Sequence, residues 1–236
     1  MKKLVFFFVA IFSFSDAFSQ YNFHRFSLGL GLGPNRPFSD VYTNKVGPAL
    51  AVYADFHLTP FVILGAEGQL GRLTGGNRLT DPHLREFENT YRALIFTTKF
   101  SLGELLNYNR RSILNTFKGL YVGSGAGFIV NNMTFVTRIK PDGFSNYTFP
   151  GEDSGINMVV PATAGINFNI VDGWGETRYI LSAGYQMNIT FGEGMDGFND
   201  PPEVFENNYN DMYSYATLSL KYCFGRKGVF YRPFRY

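Results

Sequence analysis

Eight stretches of this chain alternate with period two, and each puts its large apolar residues on one face and small or polar residues on the other. In the first, Phe26, Leu28, Leu30 and Leu32 share a face, and Ser27, Gly29, Gly31 and Gly33 share its opposite. The same two-sided pattern recurs over Leu50–Leu58, Val62–Leu70, Leu94–Leu102, Leu120–Val130, Val160–Ile170, Tyr179–Ile189 and Ala216–Phe224. Period two is the signature of a β-strand with chemically distinct faces. Each stretch is about ten residues long, the length a tilted strand needs to cross a bilayer. The few charges within them, Asp55, Glu67, Lys99 and Lys221, all fall on the face opposite the Leu and Phe. A water-soluble barrel has the reverse arrangement. The pattern therefore predicts an all-β, eight-stranded antiparallel up-and-down transmembrane β-barrel, with lipid outside and a polar interior that side chains fill.

Composition agrees with this reading. Charged residues make up 17% of the 236 positions, against about 25% in ordinary soluble domains. Gly, Phe and Tyr number 26, 26 and 15, while mean hydropathy is only −0.08. The apolar content excludes a disordered chain. A single Cys excludes an internal disulfide framework. A net charge of +2 gives no reason to expect nucleic-acid binding.

Residues 1–19, MKKLVFFFVAIFSFSDAFS, have a basic start, a short apolar run, and small residues at Ala17 and Ser19. This is the form of a secretory signal peptide, with the mature chain expected to begin near Gln20. No other run is long and apolar enough for a spanning helix. The links 34–48, 72–90, 131–158 and 190–213 are long and polar, whereas 59–60 and 171–177 are short. Outer-membrane barrels alternate in this way, with short periplasmic turns and long external loops. Segment 103–117 is long on the turn side, and its Ser101–Glu104 capping-box pattern predicts a short helix or interfacial turn. Met133–Ile139 and Ser145–Phe149, flanking Lys140–Gly143, predict a projecting hairpin. The expected organisation is a signal peptide over 1–19, a barrel over 20–224 and a periplasmic basic-aromatic tail over 225–236. Pro233 argues against a further strand in that tail.

Leu58–Gly65 (LTPFVILG), Gly119–Gly127 (GLYVGSGAG), Val159–Gly165 (VVPATAG) and Asp211–Phe224 (DMYSYATLSLKYCF) resemble small outer-membrane barrels of the OmpA/OmpX-like kind, in the form common in Bacteroidota. The resemblance covers nearly the whole mature chain and implies an architecture. It implies Sec export to the outer membrane of a Gram-negative cell. It also implies an assembly signal at a terminal aromatic, for which Phe224 is the candidate; because twelve residues follow it, Tyr236 stands as the alternative.

Candidate chemistry is sparse. Of three His, only His83 falls on the loop side where lipid-modifying barrels act, and no Ser lies near it in sequence. The runs Gly29–Gly33 and Gly123–Gly127 lack phosphate-loop spacing and sit inside strands. The acids of 190–213 (Glu193, Asp196, Asp200, Glu203, Glu206 and Asp211) match no EF-hand, and solvated loop acids are the default reading. Asp55, Glu67, Lys99 and Lys221 are expected to form lumen ion pairs, with Glu67–Lys99 as the named pair. Cys223 has inward parity, as for a free thiol. The sequence thus predicts no catalytic, cofactor or metal site. The expected role is structural or interactive, displaying long loops. The alternatives are a narrow porin-like channel and an accessory subunit of an envelope secretion or uptake complex. The expected partners are outer-membrane lipid, the barrel-assembly machinery during insertion and, through the tail or loops, an envelope protein.

Overall fold

The computed structural model describes residues 18–39, 41–81, 84–102, 119–138, 148–174, 176–192, 194–198 and 211–233. Its strands are β1 (Phe18–Phe38), β2 (Asn44–Lys45), β3 (Gly47–His57), β4 (Val62–Gly76), β5 (Glu86–Ser101), β6 (Leu120–Val136), β7 (Ser154–Val171), β8 (Thr177–Phe191) and β9 (Met212–Pro233). Every pairing is antiparallel. β1 pairs with β3 on one side and with β9 on the other, and β4–β5 completes the circuit, so eight long strands form a closed ring. The two-residue β2 lies outside the ring, paired with β4 at Asn44–Gly75 and Lys45–Thr74. Closure leaves the wall of the ring without an open edge.

The ring is inside-out with respect to a soluble domain. Leu28, Leu30, Leu32, Val52, Phe96, Phe128, Leu218 and Leu220 are exposed, whereas Asp55, Glu67, Lys99 and Lys221 are buried. At the end carrying the short turns, the outward aromatic rings touch. Phe26 lies 5.1 Å from Phe56 and 6.2 Å from Phe224, and Tyr222 lies 5.5 Å from Tyr179. Toward the loop end the outward face turns polar, with an Arg72–Glu88 ion pair at 3.1 Å and a Thr90–Thr134 hydrogen bond.

The short turns are closed by side chains. Thr59 Oγ1 accepts from the backbone N–H groups of Phe61 and Val62. In the β7–β8 turn, Asp172 Oδ1 accepts from the N–H groups of Trp174 and Glu176, and its Oδ2 takes Arg178 at 3.0 Å.

Two expectations need correction. β9 does not end at Phe224 with a separate tail: its ladder with β1 continues to Phe18–Pro233. The extension crosses a register shift between His24 and Phe26, where Gly225 takes a φ of 88° and absorbs the additional residue. Pro233, opposite Phe18, is the last paired residue among those described, a ladder-end position of the kind that tolerates proline. Second, the arm Met133–Ile139 is not separate from the wall, although the two expected arms do meet where the Phe149 N–H donates to the Arg138 carbonyl at 2.8 Å; Met133 and Val136 belong to the long strand itself. They continue β6 and pair with Asn89 and Phe87 of β5. Residues 103–117, the tip 139–147 and residues 1–17 lie outside the described residues.

An Arg in place of Leu30, mid-strand on the exposed apolar face, is expected to destabilise the chain in bilayers by about 2–4 kcal/mol. Urea unfolding in lipid vesicles measures this. Hydrogen bonds, first from the Glu176 backbone and also from Arg178, hold the Asp172 carboxyl below its usual pKa. Turn order is therefore fully present above the ordinary carboxylate value and is lost as pH falls through the lower folded value. Trp174, the only Trp of the chain and 90% exposed, reports this directly by fluorescence anisotropy.

Candidate functional site: a filled, charge-balanced lumen

The inward residues form layers from the turn end to the loop end. At the turn end, Ser27 of β1 is hydrogen-bonded to His57 Nε2 of β3 at 3.1 Å. Ser27 is only 1% exposed, so the bond ties two walls together inside packed protein. Next comes the charged layer. Lys221 Nζ donates to Asp55 Oδ2 at 2.5 Å and stands 4.6 Å from the centre of the Tyr53 ring. Lys99 Nζ lies 5.4 Å from the Tyr53 ring centre and 5.9 Å from that of Tyr121, a cation flanked by two π faces. Glu67 accepts from Gln69 Nε2 at 2.8 Å, and Tyr213 donates to Gln69 Oε1 at 3.0 Å. Two acids and two bases thus balance within this layer, as burial in low dielectric requires.

The structure buries all four charged residues singled out in the sequence, but it pairs them differently from the expectation. Among the described residues, Glu67 and Lys99 form no ion pair. The register explains why: Glu67 stands opposite Ile95, and Lys99 stands opposite Ile63. That offset of four residues along the strands is roughly 13 Å. Asp55 and Lys221, by contrast, flank β1 one step apart, opposite Ser27 and Gly29 respectively. Gly29 makes their contact possible, because a Cβ there would lie 2.5 Å from Lys221 Cγ. Gly65 does the same on the neighbouring strand β4, directly opposite Asp55: a Cβ there would lie 2.7 Å from Asp55 Oδ1 and 3.7 Å from Lys99 Nζ.

Above the charges, Asn35 Nδ2 donates to the Tyr91 hydroxyl, and the Tyr91 ring packs on that of Tyr213 at 5.1 Å. At the loop end, described loop residues enter the mouth. Phe149, Met195 and Phe198 pack with Leu73, Phe87 and Tyr91 in one buried cluster. Arg85 lies 4.4 Å from the Phe149 ring centre and 5.0 Å from that of Phe198. Asn89 Nδ2 donates to the Met195 carbonyl, fastening this loop to the wall.

Phe224 faces outward in the aromatic layer described above. Cys223 is buried and free. Of the loop acids, Asp196 accepts from the Phe198 N–H and Asp211 from the Met195 N–H, so both serve loop structure. Glu193, Asp200, Glu203 and Glu206, and also His83, lie outside the described residues. No metal-binding cluster occurs among the described residues.

The inward tyrosines Tyr53, Tyr91, Tyr121, Tyr213 and Tyr215 are functional residues of this interior that the sequence reading passed over. Strand parity was the available signal, since Tyr53 shares a face with Asp55 and Tyr121 shares one with Gly123. The mouth residues gave no such signal, because they come from irregular loops.

No family model matches the sequence, and no curated protein matches it. Among solved structures, the chain is similar to small outer-membrane β-barrels. Neisserial surface protein A has a TM-score of 0.47 at 10% identity, over 87% of this chain and 99% of that one. Ail, the attachment invasion locus protein of Yersinia pestis, has a TM-score of 0.44 at 14% identity, over 86% and 99%. OprG of Pseudomonas aeruginosa has a TM-score of 0.39 at 8% identity, over 86% and 98%. The barrel assignment here rests on the closed ladder and the inverted faces of this chain itself.

Removing Lys221 leaves a buried, unpaired carboxylate. Lys221→Met is therefore expected to cost about 3–5 kcal/mol, and the double variant Asp55→Leu/Lys221→Met is expected to recover most of that loss. Urea unfolding of the four proteins of the cycle checks both statements. Strictly additive effects would show that the pair contributes no coupling.

Proposed function

We propose that this chain is an integral outer-membrane β-barrel with a structural or interactive role, displaying its long loops outside the cell and catalysing no reaction. The observation that carries the reading is the inverted wall. An exposed Leu and Phe face around a closed ring with buried Asp, Glu and Lys is stable in lipid and unstable in water. The turn end, with the chain's N-terminus, belongs on the periplasmic side, and the loop end belongs outside. Phe224 serves as the assembly signal, and the aromatic layer around it marks the periplasmic interface. Packed side chains through the lumen and the loop residues in the mouth argue for a support and display element over a solute channel.

Refolded into detergent, the protein is expected to migrate faster on a denaturing gel before boiling than after it. In planar bilayers it is expected to show no steady ion-selective conductance. A chain extracted from membranes by salt alone would remove the barrel reading. Reproducible unitary currents would remove the filled-lumen reading and leave the barrel standing.

A further inference from the structure

Beyond the ring, β1 and β9 continue together as a two-stranded ribbon. Seven residue pairs, from His24–Lys227 to Phe18–Pro233, lie past the bulge. The neighbouring strands stop short of it: the β1–β3 ladder ends at Phe26–Phe56, and the β8–β9 ladder ends at Tyr179–Tyr222. Among the described residues, therefore, each ribbon strand has an outer edge with no strand partner. The root of the ribbon is firm. Phe23 and His24 are buried, and the Phe23 ring occupies the space that Gly228 leaves free. Lys227 and His24 both reach Glu176 of the β7–β8 turn, at 2.6 and 3.6 Å. With an expected leader boundary before Gln20, Gln20–His24 would still pair with Lys227–Tyr231.

We propose that the free edge of β1 over Gln20–His24 is a docking site for an acidic extended segment of another envelope protein, which adds to it as a third strand. Two observations favour this occupant. An open edge offers backbone N–H and C=O groups at strand spacing, which another strand satisfies. The ribbon strands and their root carry Arg25, Arg226, Lys227 and Arg232 against one neighbouring carboxylate, Glu176, so the complementary partner is anionic. The Glu176 carboxylate stands at the root of both ribbon strands, 2.6 Å from Lys227 of β9 and 3.6 Å from His24 of β1, and with it counted the ribbon and its root stay net cationic. The same cations oppose a second copy of this chain, since pairing two ribbons brings like charges together. Lipid headgroups are a poorer fit. Five extended residues reach about 17 Å, whereas the headgroup layer on one side of a bilayer is only about 5–8 Å thick. The buried root also sets the ribbon off against protein.

The test uses the full chain in phosphatidylcholine nanodiscs, with heat-modifiable migration confirming the barrel independently of binding. The probe is a fluorescein-labelled peptide of about nine residues in which Glu alternates with Val and Thr. Fluorescence anisotropy is expected to show saturable binding. In β-addition only alternate backbone amides of the peptide face the template strand. N-methylation of one alternate set is therefore expected to weaken binding at least about tenfold, and methylation of the other set is expected to be tolerated. Arg226→Glu/Arg232→Glu is expected to weaken it about tenfold with the heat-modifiable shift intact. Equal effects of the two methylated sets would overturn strand addition in favour of simple charge attraction. Preferential association of the reconstituted protein with phosphatidylglycerol vesicles over the peptide would reassign the ribbon to lipid. Dimers in sedimentation that the peptide does not dissociate would reassign it to a second copy.

Discussion

The structure depends on one pairing, that of the first long strand with the last. Among the described residues, β1 and β9 are the two long strands with one ladder neighbour beside them in sequence, β3 and β8 respectively, and the other, each other, nearly two hundred residues away. Without that seam the same segments would form an open sheet with two bare edges and a hydrophobic face on its outer side. In hydrocarbon each unpaired backbone group costs several kcal/mol, so an open sheet is no alternative there. Gly29 and Gly31 lie on this seam beside β9. A Cβ at Gly29 would lie 2.6 Å from the Leu220 carbonyl oxygen, and one at Gly31 would lie 2.9 Å from Ser219 Cβ. Close backbone approach and lumen filling are thus met by the same residues.

With closure in place, the interior becomes a matter of polar satisfaction more than of apolar burial. The lumen holds charged and amide side chains whose partners come from facing walls: Lys221 with Asp55, Tyr213 with Gln69, Asn35 with Tyr91. Tyrosine suits this setting, since its ring fills volume while its hydroxyl or π face accepts a polar neighbour. Tyr53 does both, bonding Thr217 at 3.3 Å while lying beside two lysines. The apolar cluster at the loop end is the exception, and it sits where loops return over the mouth.

The strands were readable because alternation is a local property. Leu28 to Leu32 and Leu218 to Leu220 show their faces without any knowledge of what pairs with them. The inward charges were readable for the same reason. Their pairing was not, because the stagger between strands decides which charges meet: Glu67 and Lys99 lie on adjacent strands and still stand too far apart. The continuation of β9 was hidden by Gly225 and Pro233, which punctuate a sequence read locally. In the fold, the first sits in a bulge and the second at a ladder's end. The mouth residues Phe149, Met195 and Phe198 lie in irregular loops, where periodicity carries no information.

The β1–β9 seam also has a consequence for how such a chain matures. The residues that complete the ring, Met212–Pro233, are synthesised after all its other strands, and their partners, Phe18–Phe38, before them. Distant pairings of this kind form late, because the intervening chain must be ordered before the contact contributes anything. The early strand therefore waits, unpaired on one side, until β9 has been made. A chain truncated just before β9 retains almost all of its hairpins and still cannot close. The topology thus acts as a check on the presence of β9: only a chain that carries it can remove its own open edges.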